Sequence, residues 1–273
     1  MRRAFFATAA AVILTFSANS AFSKRADANR EAVLKIVTQI QRADYEGDRP
    51  ALKRLFGELA PYVADAKLSS RVQYWRGFAL WRRSLNGFNE AADPKELEDD
   101  LNQAVVEFDG ATAKDPAFVD AKLAAGSCLM NLMYLNQKNP QRVQELMKRA
   151  VPLFSEAQKA APENPRLSWV LGANYWYYTP ERNGPDHARA LQTYQTGLEL
   201  ARKARGTVID PLEPSWGEPE LLMNLAWANL HADVPDLTAA DRYAHSALEL
   251  VPYWHYVRDI LIPQIQDAKA KTN

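Results

Sequence analysis

Residues 150–172 read AVPLFSEAQKAAPENPRLSWVLG, and the spacing within this stretch decides the fold. Ala150, Phe154 and Ala157 stand four and three apart, which places them on one face of a helix. Pro162 follows five residues later. It pushes Ala161 away from helical geometry and so ends that helix. Gly172 lies ten residues beyond the proline, inside the next helical run. A glycine there costs about 1 kcal/mol relative to alanine, so its place needs a packing reason. The same pattern recurs as Ala104, Phe108, Ala111 and Pro116, with Gly126 ten beyond. Weaker copies are Ala190, Tyr194 and Gly197, then Ala240, Ala244, Ala247 and Pro252. Recurrence at intervals of about 40 to 50 residues indicates stacked helical hairpins, none of which can bury its apolar face alone. Close approach of the small residues Ala104, Ala111, Ala150 and Ala157 to the facing helix is the expected reason for the glycines.

Outward from this stretch the apolar residues keep helical spacing, and alternating β-branched runs are nearly absent. Eleven helices are predicted: Ala28 to Ala43, Ala51 to Ala66, Ser69 to Ser84, Lys95 to Lys114, Ala117 to Leu135, Gln141 to Ala160, Pro165 to Tyr178, Asp186 to Arg205, Pro219 to His231, Leu237 to Leu250 and Trp254 to Ala270. Pro263 is expected to kink or break the last of them. Two turn-rich connections stand out. Residues 178–186 read as an ordered connector, and residues 206–219 as a long one that packs against the array through Trp216.

These residues resemble the tetratricopeptide repeat family. Leu171, Gly172, Tyr175, Ala190, Tyr194 and Gly197 match its pattern, as do Gly126, Ala150, Phe154, Ala157 and Pro162. Gly77, Ala104, Phe108, Ala111 and Pro116 form an earlier copy, and Leu225, Ala226, Ala240, Ala247 and Pro252 a degenerate last one. The resemblance covers residues 69 onward and, more loosely, 28 onward. It implies an all-α, right-handed α-solenoid of about five hairpins, over 28–66, 69–114, 117–160, 165–205 and 218–250, with a capping helix at 254–270. The family sets the glycine and the second-helix alanine about twelve residues apart. Here Gly77 and Ala104 are 27 apart, Gly126 and Ala150 24, Gly172 and Ala190 18, and Ala226 and Ala240 14. The hairpins therefore lengthen toward the N-terminus, through longer helices or through loops at one rim.

The chain begins like an export signal. Arg2 and Arg3 precede an uncharged apolar run from Ala4 to Phe16, and Ala21 and Ser23 suit cleavage after Ser23. The run is too short to span a bilayer, which needs about 20 residues. Residues 1–23 are thus expected to be a signal peptide and 24–273 the mature repeat domain, in the periplasm or secreted. Without Arg2 and Arg3 there are 31 basic residues against 33 acidic, and no basic stripe of the kind that marks nucleic-acid binding. Cys128 is the single cysteine, so no internal disulfide can form.

Read off the glycine positions, the first helices of the pairs carry the aromatic residues, and in the tetratricopeptide family those helices line the concave face. Tyr74, Phe78, Trp81, Met130, Arg166, Trp169, Trp176, Tyr177, Met223 and Trp227 are the candidate groove residues; Leu123, Arg71 and Arg82 lie on the same helices. Aromatic rings with a few arginines suit a protein or peptide segment. The same rings could instead fill a tightly wound interior. No HExxH, GxSxG or phosphate-binding glycine loop occurs, and no cofactor or metal is expected. The expected function is a non-enzymatic, exported adaptor that binds a protein or peptide partner in the cell envelope. The alternative is a small-molecule or lipid-binding accessory subunit of an envelope transport system. That alternative rests on architectural similarity to the helical accessory subunits of tripartite ATP-independent transporters. A glycan-processing enzyme is disfavoured for want of a paired-carboxylate motif.

Overall fold

The computed structural model describes residues 27–207 and 210–272. The expected signal peptide lies outside the described residues. Helix α1 covers 27–46 and is followed by α2 (Arg49–Glu58), α3 (Ser69–Asn89), α4 (Pro94–Lys114), α5 (Val119–Leu135) and α6 (Pro140–Ala160). Then come α7 (Pro165–Tyr177), α8 (His187–Lys203), α9 (Glu218–His231), α10 (Leu237–Leu250) and a last helix, α11. Helix α11 begins as a π-helix, Tyr256–Leu261, and continues as an α-helix, Ile262–Thr272. The wider π turn sits directly before Pro263, where the expected break falls, so the chain continues past the missing N–H. Among the described residues no helix is long and apolar enough to cross a membrane.

Consecutive helices pack as pairs, α3 on α4, α5 on α6, α7 on α8 and α9 on α10, in an all-α solenoid of helical hairpins. Helices α3, α5, α7 and α9 also touch one another in succession, which sets them along the inner face. Helix starts follow local chemistry. Asp93, Asn139 and Asn164 each cap a helix N-terminus with a side-chain oxygen, and each is followed by a proline at the first helical position. Pro116, Pro162 and Pro252 sit outside the helices, each as the second residue of a tight turn. Those turns are closed by Phe118 N–H to Asp115, Asn164 N–H to Ala161 and Trp254 N–H to Val251. Proline's fixed φ suits that position. The stretched hairpins are made mainly by longer helices: α3, α4 and α6 have 21 residues, against 14 in α9 and α10.

The recurring glycines have a different cause from the one expected. A Cβ on Gly77 would lie 2.8 Å from the Phe108 ring, one on Gly126 2.4 Å from Phe154, and one on Gly172 2.3 Å from Tyr194. The aromatic residue of the second helix occupies the space that the first helix leaves, while Ala104, Ala111, Ala150 and Ala157 are buried beside it. In the last pair the two positions are Ala226 and Ala244, both fully buried. There the smaller partner leaves room for a Cβ.

The solenoid curves until its ends meet. Tyr45 on α1 packs edge-on against Trp254, with ring centroids 4.9 Å apart, and His255 covers Gly47. Helix α1 thereby lies across the inner face, with Val33, Val37 and Ile40 buried.

Candidate binding surface on the inner face

Four polar side chains stand in the first turns of the inner helices: Arg71 on α3, Asp120 on α5, Arg166 on α7 and Glu220 on α9. Each lies six residues before the repeat position, Gly77, Gly126, Gly172 or Ala226. The repeat therefore brings them into one row of alternating charge. Arg71 pairs with Asp115 at 2.5 Å and with Glu213 at 2.7 Å. Arg166 grips Asp120 through two bonds, of 2.6 and 3.0 Å. Burial opposes the charge of Arg166, but Asp120 outweighs it and raises the guanidinium pKa.

This row holds a segment of the chain itself. Residues 210–217, part of the connection from α8 to α9, cross the inner face: they open with a turn, closed by the Glu213 N–H to the Asp210 carbonyl at 2.8 Å, and run on without regular structure to Gly217. Leu212, Pro214 and Trp216 are buried, while Pro211 and Ser215 between and beside them are exposed. The Trp75 indole N–H donates to the Leu212 carbonyl at 2.8 Å, and the Trp216 indole N–H to the Tyr74 hydroxyl at 2.9 Å. Arg71 holds Glu213, Arg166 donates to the Trp216 carbonyl at 3.0 Å, and Glu220 accepts from the Gly217 N–H at 2.7 Å. From the other side, Arg30 pairs with Asp210 at 2.7 Å and Gln41 donates to Ser215.

Behind the strap lies a buried ion pair. Arg82 donates to Asp44 at 2.7 Å, and the Tyr45 hydroxyl donates to Glu220 at 2.6 Å. Burial raises the pKa of Asp44 and of Glu220, with Arg82 opposing the rise in both. Two clefts of about 300 Å³ flank the strap. One is lined by Arg30, Lys67, Arg71 and Glu213, the other by Gln41, Asp44, Trp216 and Tyr253.

The ten candidate groove residues therefore divide. Tyr74, Phe78, Trp81 and Trp169 are buried around Trp216, whose ring lies 5.7 Å from Trp81 and 5.5 Å from Trp169. Trp176 is buried as well, stacked on His187 at 4.1 Å and edge-on to Trp227 at 5.0 Å. The first four are covered by the chain's own segment at Trp216, and Trp176 by His187 and Trp227. Arg166 is half-buried and engaged with Asp120 and the strap. Met130, Met223 and Trp227 are half-buried, and Tyr177 is 68 % exposed. The reading from sequence missed Asp120 and Glu220, which their offset from the repeat glycines would have revealed. It also missed Tyr134, at the end of α5 and 60 % exposed. Partial desolvation, with the neighbouring Tyr134, raises the Tyr177 hydroxyl pKa. Cys128 is fully buried, and that burial pushes its thiol well above the usual range, which suits an inert core residue.

No family model matches the chain, and no curated protein matches it. Among solved structures, the crystal structure of the yeast Tom70 is similar at 15% sequence identity and a TM-score of 0.36, over 81% of this chain and 52% of that one. The chain thus spans about half the length of that solved chain.

Proposed function

We propose that the protein is a non-enzymatic helical-repeat adaptor that holds a segment of a protein partner on the open part of its inner face. The observation that carries this reading is the exposure of Tyr134 and Tyr177 at the ends of α5 and α7, neighbouring inner helices, while the other inner-face rings are covered. Met130 lies one turn before Tyr134, and Met223 one turn before the half-buried Trp227. Tyrosine, tryptophan and methionine in partial exposure are the residue types that anchor protein interfaces. A carrier of small molecules or lipid would need the aromatic interior as its cavity, and Trp216 and Leu212 fill that space. The charge and apolar pattern of residues 2–23 supports export and a mature chain in the periplasm or the medium. N-terminal sequencing of the native protein tests that part.

Photo-crosslinking residues placed at 134 and 177 test the adaptor reading in the native cell. Both positions should yield the same discrete adduct, and a crosslinker at Val106, exposed on the second helix of its pair, should not. Equal adducts at all three positions, or none at 134 and 177, would overturn the reading.

A further inference from the structure

From α2 to α3 the chain takes residues 59–68, which include a short 3₁₀ turn, and the later connections between helix pairs are shorter, with one exception. The chain passes from α4 to α5 through residues 115–118, from α6 to α7 through 161–164, and from α10 toward α11 through 251–255. Between α8 and α9 it takes residues 204–217, although these helices also pack against each other. The step itself needs no such length. The extra residues form the strap over the inner face.

The way the strap is held resembles recognition of a ligand more than packing of a loop. Its backbone carbonyls bond to side chains of the wall, Leu212 to Trp75 and Trp216 to Arg166; the Gly217 N–H to Glu220 bond is the capping box that starts α9. Its inward side chains enter separate places along one line, while Asp210 and Glu213 each meet an arginine, Arg30 and Arg71. Any segment with the same order of side chains that adopts the same opening turn could make these contacts. Gly206 and Gly217 bracket the segment at φ of +83° and +144°, and a Cβ on Gly206 would meet nothing within 4 Å. The flanking clefts bring solvent to both edges of the strap. The fit is also incomplete. The indole N–H groups of Trp81 and Trp169, both buried against Trp216, find no acceptor among the described residues.

We propose that the wall formed by Arg71, Trp75, Tyr74 and Arg166 is a second peptide-binding site, with residues 210–217 as its resident occupant. The exchangeable ligand is a partner segment with the same opening turn, of the order acid, proline, leucine, acid, proline, any residue, tryptophan. The strap is its intramolecular competitor. Tethering gives the strap an effective concentration in about the millimolar range, so exchange requires a tight partner or a loosened strap. This site is distinct from the Tyr134–Tyr177 surface, and either can fail without the other.

The test uses a labelled peptide, Asp-Pro-Leu-Glu-Pro-Ser-Trp-Gly, and the full chain. A chain carrying Leu212→Ala and Trp216→Ala should bind the peptide at least about tenfold more tightly than the unaltered chain. Adding Arg71→Ala and Arg166→Ala should weaken binding by about tenfold or more. A cooperatively folded strap variant that binds no better than the unaltered chain would overturn the proposal. A second experiment keeps the strap residues that contact the wall. Gln41→Cys and Ser215→Cys, joined by a short bis-thiol reagent, tie the strap down; Cys128 is buried and out of the reagent's reach. Excess peptide should bind the untied chain and fail to bind the tied one. Equal binding to both, or binding to neither, would overturn the proposal.

Discussion

Gly172 holds open a space for Tyr194: a Cβ there would stand 2.3 Å from the ring, and the ring is buried and cannot swing away. Gly172→Ala should therefore destabilise the fold by about 1–3 kcal/mol in urea unfolding. Tyr194→Ala alone leaves a cavity and should cost about 3–5 kcal/mol. In the Tyr194→Ala background the added methyl has room, as it has at Ala226 opposite Ala244, so Gly172→Ala should then cost less than about 0.5 kcal/mol. Additive costs would show that the ring is not what excludes the Cβ. A second prediction at this scale concerns Glu220. Burial raises its folded pKa, Arg82 and the Tyr45 hydroxyl opposing. The folded chain then keeps a proton that the unfolded chain releases. Stability accordingly falls as pH rises from the ordinary Glu value, about 4.3, to the raised folded value, and is level above it. Asp44, also raised by burial, acts in the same direction. Glu220→Gln keeps an acceptor for the Gly217 N–H and removes the titration. Its unfolding free energy should decline less across that window than that of the unaltered chain. An equally steep decline would exclude Glu220 as a titrating group.

Among the elements, the helices were legible because their signals are local. Spacings of three and four, the caps at Asp93, Asn139 and Asn164 and the turn prolines act within a few residues of where they stand. The glycine register was also legible and put the rings on the inner helices. Its cause was not, because which side chain enters the space at Gly172 depends on a partner helix more than 20 residues away. The strap was half legible. Trp216 marked it as packed, but its path into the groove depends on residues from α1, α3 and α7 that sequence proximity does not connect. The candidate site changed for that reason: four of its rings, Tyr74, Phe78, Trp81 and Trp169, turned out to be covered by a segment that sequence could only describe as a connection. Trp216→Ala should cost about 3–5 kcal/mol. Because Arg30 and Gln41 on α1 bond to the same segment, hydrogen exchange should speed up along 27–46 as well as along 210–217. Acceleration confined to 210–217 would show that α1 holds its place without the strap.

Seen whole, the chain is a repeat array closed on itself. Contact of Tyr45 with Trp254 joins the first and last described helices, and α1 and the strap fill the space an open superhelix would leave. A compact chain of about 250 residues has a radius of gyration near 18 Å. Solution scattering should give a value close to that, and Tyr45→Ala with Trp254→Ala should raise it measurably. The central claim is that Trp216 is the chain's own occupant of the inner face. NMR of the protein with ¹⁵N-labelled tryptophan indoles tests it most directly. The Trp216 indole N–H, which donates to Tyr74 at 2.9 Å, should exchange slowly with solvent and show cross-relaxation to the rings of Tyr74, Trp81 and Trp169. A rapidly exchanging Trp216 indole with no contact to those rings would contradict the account.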